Sequence, residues 1–214
     1  MQTKRKFDLP NVIRKALHPL LLKAVKGRIY FPVKILNSMP KVEGNKIIAI
    51  NHSCVLDAPV SSDVIKEHFY FLVGKQSLEL IDRIFFFLNG VVYVDRKSKK
   101  NKKKSLQKML KILRGGKSLL MCPEGTWNLT PSKPMLPLNW GIIDLAKQTG
   151  VPIIPLILEY HPDCCYAKYG EPIYINEEMV QKRVAEYPKF NFEYEMSVVR
   201  GNENKPEYVL GRCL

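Results

Sequence analysis

The order of patterns along the chain predicts an α/β fold, with a mostly parallel, twisted sheet flanked by helices. Three observations carry that expectation. Apolar runs of strand length recur at 47–50, 69–73, 91–94, 118–122 and 152–158. Between them, apolar residues at 78–88, 106–113 and 141–149 repeat with helical spacing. Glycines stand where the elements should stop, at Gly90 and at Gly115-Gly116.

Residues 11–36 come first in order. Val12, Ile13, Ala16, Leu17, Leu20, Leu21, Ala24 and Val25 recur at helical spacing among Arg14, Lys15, Lys23, Lys26 and Arg28. Pro19 is expected to break this run near His18 into two short amphipathic pieces. An apolar stretch with basic punctuation follows at 29–36. Residues 1–38 therefore read as an amphipathic segment lying on an anionic membrane, or as a helix packed on the core with a basic outer face. Residues 39–214 read as the main domain.

The strand at 47–50 runs into a polar turn, Asn51-His52-Ser53, and a helix opens near Asp57 as its N-cap, with Pro59 in its first turn. The lysine-rich run at 97–104 reads as a solvated loop before the helix at 106–113. Residues 171–175 suggest a further strand and 177–185 a helix, while 193–214 are polar and suggest no element.

Composition narrows the function. A formal net charge of +14 over 214 residues implies a polyanionic partner: nucleic acid, an anionic membrane or a phosphorylated substrate. The lysine run has no interleaved aromatics, so nucleic acid is not expected. No apolar run reaches the length of a membrane span, and no secretory leader is expected. Five cysteines include no Cys-x-x-Cys pair, so neither a zinc site nor a disulfide framework is expected; this fits a reducing cytosol. Gly115-Gly116-Lys117-Ser118 resembles the end of a phosphate-binding loop, but Lys111 stands where that motif needs glycine.

Several polar clusters share one position, the end of an expected strand. They are Asn51-His52, Lys75, Asp95-Arg96 and Glu124-Gly125-Thr126. In a parallel sheet these ends line one edge, where open α/β folds bind ligands. A carboxylate beside an imidazole makes a general base, since it fixes the ring tautomer and leaves the other nitrogen to take a proton. The spacing of His52 and Asp57 also suits a bland reading, with Asp57 capping a helix and His52 satisfying a turn. Lys75 and Arg96 would offer cations to a phosphate, and the Gly125 turn would offer backbone N–H groups to an anion.

These blocks resemble the glycerolipid acyltransferases, typified by 1-acylglycerol-3-phosphate acyltransferase. Asn51-His52-Ser53-Cys54-Val55-Leu56-Asp57 is similar to that family's N-H-x4-D block. Gly90-Val91-Val92-Tyr93-Val94-Asp95-Arg96 resembles its second block, Pro123-Glu124-Gly125-Thr126 its third, and Val151-Pro152-Ile153-Ile154-Pro155 its fourth. The resemblance covers roughly residues 40–160 and makes 39–214 an acyltransferase domain.

It implies His52 and Asp57 as the catalytic pair, and Lys75, Arg96, Glu124, Gly125 and Thr126 as the binders of a substrate phosphate. Val151, Pro152, Ile153 and Pro155 take an acyl-chain or structural role. No metal or cofactor is implied. The partners are a lysolipid acceptor such as lysophosphatidic acid, an acyl-CoA or acyl-carrier-protein donor, and an anionic membrane; the location is peripheral, on a cytoplasmic membrane face. One departure matters. Trp127 stands where the family usually has arginine, which removes a strong phosphate contact and makes another lysolipid head group more attractive. From another class, a non-enzymatic basic protein that binds anionic membranes or nucleic acid also accounts for the charge.

Overall fold

The computed structural model describes residues 9–75, 79–130 and 136–175. Among the described residues, seven strands form one sheet in the order β1 (Val33–Ile35), β7 (Cys165–Tyr169), β6 (Ile153–Tyr160), β2 (Ile47–Ile50), β5 (Ser118–Met121), β3 (Phe69–Gly74), β4 (Val91–Val94). Strand β2 lies in the middle, paired in parallel with β6 on one side and β5 on the other. Strands β3 and β4 continue the parallel array beyond β5. All four residues of β2 are buried, as a strand covered on both faces requires.

Helices cover both faces. Phe85 and Phe86 of α3 (Leu80–Asn89) and Val60, Val64 and Ile65 of α2 (Asp57–Ile65) pack on one side. Met109, Leu110, Ile112 and Leu113 of α4 (Lys99–Arg114) and Ile142 and Leu145 of α5 (Gly141–Thr149) pack on the other. Each fully buried aliphatic side chain contributes about 1.5–3 kcal/mol. The chain leaves β2 outward to β3 and β4, returns to β5, then crosses to β6. This reversal beside β2 opens a crevice at the carboxyl ends of the strands.

Four expectations need correction. The helix α1 (Leu9–Lys26) runs unbroken through Pro19. Its side chains hold it against α2 and α3: His18, Leu21 and Val25 are buried, and Arg14 donates to Phe87 O and the Tyr70 hydroxyl. That docking outweighs the roughly 3 kcal/mol cost of an interior proline. The lysine run at 97–104 is mostly helix, because Ser98 caps α4 by accepting from Asn101 N–H at 3.2 Å. Apolar periodicity starts only at Leu106, so the first two turns carried no signal. Six cations near the positive end of a helix dipole are unfavourable there, each by about 0.3–1 kcal/mol at low salt. Asp57 does not cap α2; Leu56 holds the cap position. Finally, 171–175 forms only a single bridge, Ile173 to Ile153.

Two strands went unread. β1 pairs in parallel with β7, which runs antiparallel to β6. In β7 the buried positions are Cys165, Ala167 and Tyr169, which do not announce a strand as β-branched residues would. The boundary drawn at residue 38 thus falls between two strands of the same sheet. The expected helix at 177–185 and the polar tail lie outside the described residues.

His18 and His68 meet edge to face where α1 docks, with ring centroids 5.6 Å apart. His18 Nδ1 and His68 Nε2 are buried and have no hydrogen-bond partner among the described residues. Burial first, then the nearby His18, lowers His68 from 6.5 to about 4. The unfolded chain therefore binds a proton between these values that the folded chain refuses. Stability is full above pH 6.5 and falls as pH drops toward 4, by on the order of 1–2 kcal/mol once solvent screening of a partly exposed ring is allowed for. Urea unfolding at pH 7.5 and 5 should show this loss, and His68→Asn should flatten it.

Candidate active site

The turn after β2 is fixed at both ends. Asn51 is buried, and its carboxamide both donates to Leu158 O and accepts from Leu158 N–H, each at 2.9 Å. A side chain thereby extends the β2–β6 pairing by one rung. His52 comes next, a quarter exposed, with Nδ1 2.8 Å from Asp57 Oδ2. With its Nδ1–H donated to a carboxylate, the neutral ring keeps Nε2 as its proton-accepting atom.

Asp57 is only 2% exposed. Oδ2 also accepts from the N–H groups of Ser53 at 2.7 Å and Cys54 at 3.0 Å, while Oδ1 accepts from the Tyr160 hydroxyl at 2.9 Å. These donors offset the cost of burying a charge. Burial, together with Asp57, holds the Tyr160 phenol well above the usual tyrosine range, so it stays a proton donor. Burial also raises the Cys122 thiol, reinforced by Asp57 and Glu124 and opposed by Arg96. A thiol kept neutral in this way is no nucleophile.

The third block braces the histidine from the neighbouring strand. Glu124 is buried after β5; its Oε1 accepts from His52 N–H at 3.0 Å and its Oε2 from Leu136 N–H at 2.9 Å. Asn128 N–H donates to His52 O at 2.7 Å. Glu124 was expected at a substrate phosphate, but an anion engaged on both oxygens with main-chain donors instead holds the turn in place. Gly125 N–H donates to Cys122 O at 3.1 Å, so this N–H is already used within the turn. Glycine is needed there for two reasons: φ is +79°, and a Cβ would come within 2.6 Å of Asn139 Nδ2. Thr126 is exposed beyond it.

Arg96 follows β4 on the same edge. Its guanidinium lies 3.7 Å from where a Cβ on Gly74 or on Gly125 would stand, so it spans the ends of β3 and β5. Lys75 is exposed after β3, with its ammonium 4.0 Å from Asp95 Oδ2, a contact of little energy in water. The structure therefore brings His52, Asp57, Lys75, Arg96 and 124–126 to one edge. Val151, Pro152, Ile153 and Pro155 lie elsewhere. They are buried around the start of β6, where Ile153 pairs with Ile47, at the far end of β2 from His52, and Pro155 pairs with Ala49, nearer to it. Val151 and Ile153 pack in the core on the side of the sheet that α4 and α5 cover.

One site residue escaped the sequence reading. Tyr160 stands 103 positions from Asp57 along the chain, and only the β2–β6 pairing brings them together. A polar aromatic ending a buried strand was the available signal. Trp127, singled out for standing where the family usually has arginine, is 41% exposed with its ring edge-on to His52, centroids 6.0 Å apart.

Comparisons with known proteins bear on the fold and the family. The solved structure of the 1-acyl-sn-glycerophosphate (LPA) acyltransferase PlsC from Thermotoga maritima shares the fold, with a TM-score of 0.67 at 19% identity over 94% of this chain and 86% of that one. A Saccharomyces cerevisiae protein named 1-acyl-sn-glycerol-3-phosphate acyltransferase is 27% identical over 64% of this chain and 46% of its own length. A Borreliella burgdorferi protein of the same name is 31% identical over 56% and 48%. The chain thus spans about half the length of these two relatives. The Acyltransferase family profile matches residues 26–159, a stretch that contains His52, Asp57, Arg96 and the Glu124 turn. Matched over more than half its length and through the residues that build this edge, the chain belongs to the acyltransferase family.

Proposed function

We propose that this chain is an O-acyltransferase that moves a fatty acyl group from a thioester, acyl-CoA or acyl-carrier protein, to the free hydroxyl of lysophosphatidic acid or a related lysophospholipid. The observation that carries this reading is the 2.8 Å bond between His52 Nδ1 and the buried Asp57. Nε2 of His52 takes the proton of the acceptor hydroxyl as its oxygen attacks the thioester carbonyl. The tetrahedral intermediate collapses with cleavage of the C–S bond, and the imidazolium returns its proton to the departing thiolate. The products are an ester and a free thiol. Asp57 stabilises the imidazolium between the two transfers. No covalent acyl-enzyme and no metal or cofactor enter the scheme.

Arg96 and Lys75 supply the cations for the acceptor's phosphate. Trp127 flanks the base where a third cation would otherwise stand, which favours a lysophospholipid whose head group tolerates an aromatic wall.

Membrane association at a cytoplasmic face fits the surface. Leu80, Ile81, Ile84 and Phe87 form an exposed stripe on α3, beside Val12, Ile13 and Leu20 on α1. Such a patch lies naturally in a lipid interface. Among the described residues, no helix is long and apolar enough to cross a membrane.

The test is a panel of lysolipids with several thioester donors, presented on anionic vesicles and read by mass spectrometry. A new acyl ester from at least one phosphate-bearing lysolipid is expected. Vesicle binding without any ester would overturn the proposal and favour a basic, non-enzymatic membrane protein.

A further inference from the structure

The first turns of α4 break an electrostatic rule. Lys97, Lys99, Lys100, Lys102, Lys103 and Lys104 crowd there, all exposed, and the helix contains no acidic residue. Among the described residues, none of the six joins an ion pair. Cations at the start of a helix oppose its dipole, so the arrangement lowers the stability of the free protein. A local rule broken without compensation marks a functional surface.

Its position says what it serves. α4 opens three residues beyond Arg96, and Asn101 Oδ1 accepts from Asp95 N–H at 2.7 Å, which fastens the lysine turns to the rim of the site. β4 stands three strand positions from β2, about 14 Å at ordinary strand spacing. The lysines therefore begin roughly one pantetheine arm from His52.

We infer that the lysine cluster at 97–104 binds the adenosine 3′-phosphate 5′-diphosphate end of an acyl-CoA and so places its thioester at His52. The inference rests on the acyl-transfer reading above. Charge complementarity favours this occupant: a compact polyanion meets six lysines and the positive end of a helix together. A membrane suits the cluster less well. The apolar stripe lies on α3, which covers one face of the sheet, whereas α4 covers the other. A flat bilayer that takes the stripe leaves these lysines in water. A protein carrier also suits them less, since protein interfaces are depleted of lysine and anchored by aromatic side chains, and 97–104 offers none.

The test is a combined variant, Lys99→Gln, Lys100→Gln, Lys102→Gln, Lys103→Gln and Lys104→Gln, in the full chain. The first readout is the ratio of kcat/KM for acyl-CoA to that for the matching acyl-pantetheine, which lacks the nucleotide. In the unchanged protein this ratio should be about tenfold or more and fall with salt; in the variant it should collapse toward one. The second is calorimetric binding of CoA itself, which needs no turnover and should weaken at least tenfold in the variant. The third is thermal melting. The variant should melt no lower than the parent, because removing cations relieves the dipole. An unchanged ratio, an equal loss on both donors, a loss confined to an acyl-carrier-protein donor or to anionic vesicles, or a lowered melting point would each overturn the inference. If neither thioester is used yet CoA binding depends on the lysines, the acyl-transfer reading fails while the nucleotide site stands.

Discussion

His52→Ala is expected to lower the kcat for acyl transfer by about 10²–10⁴-fold, the usual contribution of a positioned general base. The fold should tolerate the change. The side chain is a quarter exposed and, among the described residues, its hydrogen bond is to Asp57. Removing it leaves the Asp57 carboxylate still served by Ser53 N–H, Cys54 N–H and the Tyr160 hydroxyl. The main-chain bonds of residue 52 to Glu124 and Asn128 do not involve the ring. Steady-state kinetics with saturating acceptor, paired with a thermal melt, would check both halves. Turnover that survives at more than a tenth of the parental rate would remove His52 as the base. Added imidazole should restore part of the lost rate, because the cavity left by the ring opens to solvent.

Asp57→Asn should have the second-largest effect, and of a different kind. The carboxamide preserves volume but cannot accept on both atoms, so the donors from Ser53, Cys54 and Tyr160 no longer all find an acceptor. Each buried donor left unmatched costs about 1–3 kcal/mol, and denaturant unfolding should record a loss of that size. Catalysis should fall by about 10²-fold or more, because a neutral neighbour neither selects the Nδ1–H tautomer nor steadies the imidazolium. Tyr160→Phe is the companion measurement. It removes one donor to Oδ1 and leaves the His52–Asp57 bond in place, so it should lower stability more than kcat. A variant at 57 that melts early yet turns over at the parental rate would assign the carboxylate a structural role alone.

In the sequence, β2, β5 and β6 were legible because central strands covered on both faces must be apolar, β3 and the edge strand β4 as short apolar runs ended by Gly74 and Asp95, and helical spacing marked α3, α5 and the later turns of α4. β7 was not, since its inward positions are cysteine, alanine and tyrosine. The opening of α4 was hidden because a lysine run carries no periodicity; its cap, Ser98, was the only local mark. Pro19 misled because a local cost was judged without the packing that outweighs it. In the site, His52, Asp57, Arg96 and the Glu124 turn were legible as polar groups at strand ends. The part played by Glu124 was not. Nothing local says that its carboxylate grips the main chain of a residue 72 positions earlier.

That grip has a consequence for how such a site can diversify. The loop bearing the base is tied to β6 through Asn51 and to the β5 turn through Glu124 and Asn128, so it has little room to adapt to a new ligand. Trp127 and Leu129, by contrast, stand outward on the same short stretch as Asn128, which does the tying. Side chains there are free to be exchanged while the reactive pair keeps its alignment, so acceptor choice and proton chemistry can evolve on separate residues of adjoining segments.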